Sequence, residues 1–419
     1  MANRVVGIDF GQGVIRGAEV EEPGTPRSRV SRFGAVPVPA EAIVSGEVRD
    51  PQEVASALRQ LWSKAGFRTK RVVLGIGNSR VLARDLAVPA RPLAQIREGL
   101  RFQVADMLPM PAENAVLDYY PVMHGTDEQG APVFHGLLIA ALKDVVLGNE
   151  RAAHVAGLEV VAVDMIPFAL IRMLSDQSTA ETSAFVDVGA TTTVIAVATG
   201  GIPEFVRIVP MGGEDATRSL MELGQLSREQ AEQIKRTIGL LTEGVDPKYR
   251  PVVELMVARS SELMASIRDT LAYFADTRQR QVARILLTGG GARVGGLAQM
   301  VQGWTRIPAS IDATLEDPDF TVATALALSS GGPSAGRRAE AFSAPRVAAP
   351  VAAARTSPEE PGPFTAPPGE GLAPLAEAAP GDPPVAEPVP AAAPGGSRSK
   401  KEKKEKKDSI WTRPLGGRK

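Results

Sequence analysis

The chain has 419 residues, a net charge of −1 and 23% charged residues, so it can form more than one domain and shows no excess positive charge for nucleic acid. It has no cysteine and only three histidines, which excludes disulfides and thiolate metal sites and disfavours a histidine-rich metal centre. Its start lacks a signal-peptide pattern, and acidic residues interrupt its most apolar stretches, 155–174 and 184–199. We therefore expect a cytoplasmic protein with only peripheral membrane contact.

The first half opens with two β-branched, alternating segments at 5–10 and 14–20, which predict adjacent strands. Apolar residues at helical spacing predict a helix over 53–65, and 71–76 is typical of another strand.

The second half repeats this opening. Its predicted strands are 184–188, 192–198, 205–209 and 283–288, and its predicted helices are 214–223, 227–237, 252–278 and 296–303.

The two openings share one pattern. In Asp9-Phe10-Gly11-Gln12-Gly13 and in Asp187-Val188-Gly189-Ala190-Thr191-Thr192, a strand ends at an aspartate, a glycine follows two residues later, and small or hydroxyl residues lead into the next strand. This repetition indicates an internal duplication.

Each hairpin suits phosphate binding, because glycine lets backbone N–H groups approach an anion without a Cβ in the way. Asp9 and Asp187 are suited to Mg²⁺ held through water, since magnesium prefers oxygen ligands and retains several waters. Arg16 can meet a phosphate oxygen. The alternative is that both are ordinary β-hairpins with glycine turns.

A third motif, Gly289-Gly290-Gly291, follows the predicted buried strand at 283–288. Three glycines allow the backbone to approach an adenine ring or its ribose closely. The alternative is a flexible turn before the next helix.

These three elements, in this order, resemble the phosphate-1, phosphate-2 and adenosine motifs of the actin, Hsp70 and sugar-kinase superfamily. Further segments resemble the PilM family of type IV pilus assembly, which is related to FtsA. They are Met107–Pro111, Leu117–Tyr120, Val163–Leu170, Met211–Asp215 and Gln230–Lys235. The resemblance covers about residues 4–330.

The resemblance implies an α/β, actin-like ATPase fold with two ribonuclease-H-like halves around a nucleotide cleft. The implied domains are 1–85 with 161–182 (first core subdomain), 86–160 (inserted, FtsA-type), 183–212 with 281–330 (second core subdomain), 213–280 (helical, nucleoside side) and 331–419 (a disordered Pro/Ala-rich tail with a basic end).

The cofactors implied are ATP and Mg²⁺. The predicted cofactor-binding residues are Asp9, Gly11, Gln12, Gly13, Arg16, Asp187, Gly189, Ala190, Thr191, Thr192, Gly213, Glu232, Lys235, Gly289, Gly290 and Gly291. In the superfamily the acid and base of the helix that carries Glu232 and Lys235 face the nucleoside. Without the resemblance, the two residues are an exposed i,i+3 ion pair.

Two departures from the superfamily pattern bear on catalysis. Ile166 stands where hydrolysing relatives often place an acid that positions water, and Asp164 lies two residues earlier. Arg16 stands where many relatives have lysine. Because isoleucine cannot orient a water molecule, we expect slow hydrolysis at most.

The resemblance also implies a partner, the cytoplasmic N-terminal segment of a PilN-like inner-membrane protein, held in a groove between the first core and inserted subdomains. The predicted groove residues are Phe102, Val104, Leu108 and Tyr119, and the alternative for them is core packing. Pilus motor ATPases and further copies of the chain are candidate partners, and the expected location is the inner face of the cytoplasmic membrane.

The tail after residue 330 contains close to half of the 34 prolines and ends in the lysine-rich run 400–407 before Ile410 and Trp411. This basic end suits either anionic lipid or a solvated docking tag.

Two rival functions remain at this level. One is an FtsA-like membrane-tethered filament, which requires an amphipathic C-terminal helix, and the other is a small-molecule kinase, which requires a base and a sugar-binding loop.

Overall fold

A duplicated sheet is the framework of the protein in this computed structural model, which describes residues 3–329. The predicted tail at 331–419 lies outside the described residues.

The elements follow one another in chain order. The strands are β1 (Arg4–Gly11), β2 (Val14–Glu21), β3 (Arg29–Pro37), β4 (Ile43–Val44), β5 (Glu47–Val48), β6 (Arg71–Ile76), β7 (Val81–Pro89), β8 (Ala115–Thr126), β9 (Pro132–Leu142), β10 (Glu159–Met165), β11 (Thr182–Val188), β12 (Thr193–Thr199), β13 (Ile202–Val209), β14 (Arg284–Thr288) and β15 (Ala309–Ile311). The α-helices are α1 (Pro51–Ala65), α2 (Leu93–Gln103), α3 (Lys143–Val155), α4 (Ile166–Leu174), α5 (Glu214–Gly224), α6 (Arg228–Ile238), α7 (Arg250–Arg278), α8 (Leu297–Thr305) and α9 (Thr321–Ser329).

The two five-stranded sheets have the same topology. One runs β3-β2-β1-β6-β10 and the other β13-β12-β11-β14-β15. In each, the first three strands are antiparallel and the last two run parallel to the central strand. The internal duplication predicted from the two aspartate–glycine hairpins is therefore present as a repeated sheet.

Local sequence signals account for α1. The Asp50 side chain accepts hydrogen bonds from the backbone N–H groups of Gln52 and Glu53, at 2.9 and 3.1 Å. Pro51 fits the first turn, and Gly66 ends the helix in the left-handed conformation with φ +65°. The apolar face of α1 packs against α3 and the first sheet.

Helices α4 and α9 pack against each other, and their apolar residues share one core with side chains from both large sheets. Helix α9 follows the second sheet in sequence but packs on β1, β2 and β6 of the first sheet. Its packing therefore differs from the prediction, which places residues 281–330 in the second core subdomain. Gly7 in β1 allows this approach, because a Cβ there would lie 2.0 Å from the Ala323 carbonyl oxygen.

Gly7→Ala is expected to lower the free energy of unfolding by about 3 kcal/mol, because backbone must move to admit the methyl group. Gly303→Ala is the control: Gly303 lies within α8, a Cβ added there would have no atom within 4 Å, and alanine should be neutral or stabilising by up to about 1 kcal/mol. Denaturant unfolding of both variants checks this, and equal midpoints would contradict it.

A three-stranded antiparallel sheet, β7-β9-β8, forms the inserted subdomain, with α2 packed over it. Its core includes Ile96, Leu100, Tyr119, Phe134 and Leu138. The sheet spans 81–142, whereas α3 packs on α1 and the first large sheet. The structural boundary therefore falls earlier than the predicted end at residue 160.

The second half carries a helical subdomain of α5, α6 and α7. Helix α6 begins with a capping box, in which Ser227 and Gln230 each accept a hydrogen bond from the other's backbone N–H. Gly239 caps its C-terminus, and Arg228, Glu232, Lys235 and Arg236 on one side of it face the space between the two halves.

Candidate functional site

A cleft lies between the β1–β2 and β11–β12 hairpins. The structure brings every predicted cofactor-binding residue to its wall: Asp9, Gly11, Gln12, Gly13, Arg16, Asp187, Gly189, Ala190, Thr191, Thr192, Gly213, Glu232, Lys235, Gly289, Gly290 and Gly291. The duplicated topology explains this, since the equivalent strands β1 and β11 end at the same opening.

Asp9 and Asp187 occupy equivalent places on the two central strands. Burial raises the pKa of both carboxyl groups above the ordinary range, and for Asp187 the pKa rises to about 6. The negative charge of Asp9 contributes to the raised pKa of Asp187, while the Thr288 hydroxyl opposes it by donating a 2.9 Å hydrogen bond. The charge of Asp9 thus raises the proton affinity of Asp187, and the charge of Asp319 raises that of Asp9, so a cation would stabilise this group of acids.

Arg16 is a cation at the same end of the cleft. Its guanidinium lies 3.9 Å from an Asp9 oxygen and 3.8 Å from an Asp319 oxygen, both longer than a hydrogen bond. The Asp319 carboxylate is also paired with Arg293, at 3.0 Å. Arg16 therefore faces the cleft without a short ion pair to either acid, and a phosphate oxygen could take its N–H groups.

Glycines shape the walls where the backbone approaches the cleft. Gly13, at the hairpin tip, has φ +78°, and no atom lies within 4 Å of where its Cβ would be. Gly289 has φ +83°, and a Cβ there would lie 2.6 Å from an Asp187 oxygen. Both positions therefore require glycine, one for the turn and one for close packing beside the carboxylate.

Two buried polar atoms in the cleft wall have no hydrogen-bond partner within the described chain, Oε1 of Gln12 and Oδ1 of Asp319. Buried polar atoms of native proteins are nearly always satisfied, so these two indicate a missing polar ligand or water. Both are acceptor oxygens, so they fit a hydrogen-bond donor, a water molecule or a cation in the cleft.

On the helical side, Lys235 is buried and Glu232 is half-buried, so the two residues are part of an internal network and not the exposed pair of the alternative interpretation. The Lys235 ammonium donates to the Gly213 carbonyl, the Thr217 hydroxyl and the Glu232 carboxylate, at 3.0, 2.6 and 2.7 Å. Although its burial opposes this, the charge of Lys235 and hydrogen bonds from Lys235 and Thr217 hold the pKa of Glu232 below its usual value.

Sequence reasoning missed several residues of the cleft. Asp319 lies just before α9, and Arg228 and Glu214, from α6 and α5, form a two-pronged ion pair beside Glu232. Gly75 and Gly77 complete the wall near Ile166. Asp319 had no motif to identify it, because only the return of α9 to the first sheet brings it there.

Ile166 lines the cleft at the first position of α4, and a Cβ on Gly77 would meet its side chain at 2.9 Å. Asp164, two residues earlier, is hydrogen bonded to Arg172 and lines a separate groove. In the described structure, therefore, the strand-to-helix junction at 164–166 gives the cleft an apolar side chain and no acid.

That separate groove lies between the first core and the inserted subdomain. Two edge strands border it, β10 of the first sheet and β8 of the three-stranded sheet. Its apolar lining includes Ile139, Val146 and Phe168, and its charged groups form the pairs Arg97–Asp118 and Arg172–Asp164.

The four predicted groove residues lie elsewhere. Val104 and Tyr119 are fully buried in the core of the inserted subdomain, and Leu108 packs against that core, as the alternative required. Phe102 is 75% exposed, with the Arg101 guanidinium over its ring. Because strand side chains alternate between faces, Asp118 and Tyr120 line the groove while Tyr119 faces away from it. None of the four predicted residues therefore lines this groove, and on β8 it is lined by the neighbours of Tyr119, namely Asp118 and Tyr120.

A family model described as type IV pilus assembly protein PilM matches residues 7–322. The chain belongs to the PilM family. The predicted family is confirmed, and the match spans both large sheets and the inserted subdomain of this PilM-family chain.

A solved PilM–PilN type IV pilus biogenesis complex is similar to this chain, with a TM-score of 0.67, 25% identity, and coverage of 78% of this chain and 99% of that one. The cell division protein FtsA of Bacillus subtilis is 23% identical over 301 residues, 64% of this chain and 68% of its own length. The ethanolamine utilization protein EutJ of Carboxydothermus hydrogenoformans is more distant, with a TM-score of 0.49, 16% identity, and coverage of 78% and 89%. The predicted actin-like ATPase fold is confirmed.

Within residues 3–329, neither a membrane-spanning helix nor a cluster of metal-binding side chains is present. No helix there is both long and apolar enough to cross a membrane. No three acidic or histidine side chains of this part of the chain come together closely enough to hold a metal ion.

Proposed function

We propose that this PilM-family protein binds Mg²⁺-ATP in the cleft and docks an extended segment of a PilN-like inner-membrane protein in the groove. The nucleotide assignment rests on one observation: half-buried aspartates at equivalent positions of two duplicated sheets face one glycine-lined cleft. Titration calorimetry of the full chain with ATP tests it, and absence of binding with and without Mg²⁺ would contradict it.

The charges at the hairpin end of the cleft, where the phosphates of ATP would lie, support a requirement for a divalent cation. On the helical side, Arg228 is paired with Glu214 and Lys235 with Glu232. At the hairpins, Asp9, Asp187 and Asp319 face the guanidinium of Arg16, and Arg293, from outside the cleft wall, pairs with Asp319. A triphosphate entering this end would meet more negative than positive charge, and Mg²⁺ supplies the compensating charge when bound.

The residues fit distinct parts of such a ligand. The Gly11–Gly13 and Gly189–Thr192 hairpins would present backbone N–H groups and hydroxyls to phosphate oxygens. Asp9 and Asp187 would hold Mg²⁺ through water, and Arg16 would contact a phosphate. The backbone of Gly289–Gly291 would lie against the adenosine.

The proposed partner site is the groove between β8 and β10. Both strands are sheet edges, so each has backbone groups that an extended peptide can pair with, and the apolar lining can take alternate side chains. The solved PilM–PilN complex supports a PilN-like partner. Docking of such a segment would hold the protein at the cytoplasmic face of the inner membrane.

We expect ATP turnover below roughly 10⁻² per second, the range of nucleotide hydrolysis without full water positioning. The reason is Ile166, which lines the cleft where an acid or amide would otherwise orient water, while Asp164 is bound to Arg172. Phosphate release under steady-state conditions measures this. Turnover of several per second, abolished by Asp9→Asn, would show that another group positions the water.

A further inference from the structure

The last described residue of the chain lies in the wall of the groove between β8 and β10. Ser329, at the end of α9, lines this groove together with Asp164 and Arg172. Its hydroxyl accepts a 2.6 Å hydrogen bond from the Arg172 guanidinium, which also bonds Asp164. Residues 330–419 therefore continue the chain from the proposed partner site itself.

The groove has room for an extended segment. Within residues 3–329, no strand pairs with the groove side of β8 or of β10, so each edge presents a row of backbone N–H and C=O groups. Val116 on β8 is 44% exposed, and Ala162 on β10 is exposed as well. Strand edges and exposed apolar side chains both favour contact with a further segment that covers them.

The position of Ser329 also determines how a continuing segment would enter the groove. Strand β10 runs from Glu159 to Met165. Asp164, near the end of this strand, shares the Arg172 guanidinium with Ser329. A segment that leaves Ser329 and follows β10 would thus begin at the carboxyl end of the strand and run antiparallel to it, the slightly more stable form of pairing.

One part of the tail sequence suits this site. Residues 337–344 are the first long run of the tail without proline or glycine, so each of them can donate a backbone hydrogen bond. The run contains Phe342, and a large aromatic side chain is an effective anchor in an apolar groove. The other aromatic residues of the tail are Phe364, which lies among prolines, and Trp411, which follows the lysine-rich run.

The intervening chain is short enough to keep this run at the groove. Residues 330–336 can span up to about 25 Å, and β10, with 7 residues, is about 23 Å long. A short linker gives its end an effective concentration on the order of 1 mM at a nearby site. A segment with a dissociation constant of about 0.1 mM would then fill the groove in about nine molecules out of ten.

We propose that residues 337–344 occupy the groove of their own chain when no partner is bound, with Phe342 against the apolar lining. A partner segment must then displace them, so the tail sets the affinity of the groove. The competition with a partner rests on the proposed function, whereas occupation of the groove can be measured on the protein alone.

Hydrogen exchange of the full chain without a partner is the first test. Phe342→Ala should raise the exchange rate at the groove-facing amides of β10 by about five- to tenfold, because the groove becomes open in most molecules. Phe364→Ala is the matched control, since it removes the same side chain from another part of the tail, and its exchange should equal that of the wild type. Equal rates in all three proteins would overturn the proposal. Protection of β10 that grows with protein concentration would also overturn it, because the segment would then come from a second copy.

Fluorescence anisotropy on the same proteins is the second test, with a labelled synthetic peptide from the cytoplasmic start of a PilN-like protein. Phe342→Ala should bind this peptide about five- to tenfold more tightly than the wild type, and Phe364→Ala should bind it as the wild type does. If Phe342→Ala exchanges faster but binds the peptide no more tightly, the two segments do not share the groove and the competition is wrong. If the peptide binds none of the three proteins, the proposed partner function fails, and the exchange rates still decide whether residues 337–344 fill the groove.

Discussion

Asp187→Asn should lower the affinity for Mg²⁺-ATP by about 10- to 100-fold, the effect of losing a charge-assisted contact in a buried site. Asp187 is half-buried at the end of β11 and lines the cleft together with Asp9, and its carboxylate would hold Mg²⁺ through water. Without Mg²⁺, the variant should bind ATP at least as well as the wild type, since one carboxylate that repels phosphate has been neutralised.

Calorimetric titration of both proteins with ATP, in Mg²⁺ and in a chelator, measures this difference. Asp144→Asn is the matched control, because Asp144 is an exposed acid in the first turn of α3 and takes no part in the cleft. If Asp187→Asn weakens ATP equally in both conditions, Asp187 supports the cleft structure and not the metal.

Ala162→Trp should reduce binding of the partner's N-terminal peptide by more than about tenfold, since an indole ring would occupy the groove that the peptide needs. Ala162 lies on the edge strand β10, is exposed and lines the groove. The substitution adds bulk on the solvent side, so the core of the first sheet should remain intact.

Fluorescence anisotropy with a labelled synthetic peptide from the cytoplasmic start of a PilN-like protein measures the affinity. Ala35→Trp is the control, because Ala35 is an exposed alanine on β3, the opposite edge of the same sheet. Equal affinities for Ala162→Trp and the wild type would remove the peptide from this groove. If only Ala35→Trp lost affinity for the peptide, the peptide would bind at the opposite edge of the sheet, along β3.

The cleft and the groove share one short segment of chain. At the junction of β10 and α4, Ile166 lines the cleft, whereas Asp164 and Phe168 line the groove. The Asp187 and Ala162 variants should each leave the other site's affinity within about twofold, because neither residue lies in this shared segment.

Much of the cleft could be predicted because its signals are local in sequence. A strand that ends in aspartate and is followed by a glycine turn can be recognised from a few consecutive residues. Because this pattern occurs twice, it predicts that the two hairpins belong to one site. The cap of α1 at Asp50 and the capping box at Ser227 are local signals of the same kind.

Local sequence patterns could not decide which side chains of β8 face the core and which face the groove. Tyr119 and Tyr120 are adjacent aromatic residues, and a shift of one position along a strand exchanges the core face for the groove face. Only the packing of α2 over the three-stranded sheet buries Tyr119 and leaves Tyr120 in the groove.

The sequence by itself thus determined the duplicated hairpins, the family and the residues that meet at the cleft. Tertiary structure alone decided three further points: the position of Asp319 beside Arg16, the hydrogen bond from the Lys235 ammonium to Gly213, and the location of the groove. Each depends on contacts between residues far apart in the chain, where α9 returns to the first sheet, α6 meets α5, or two sheet edges approach. Such contacts follow from how whole elements pack, and no local pattern of residues encodes them.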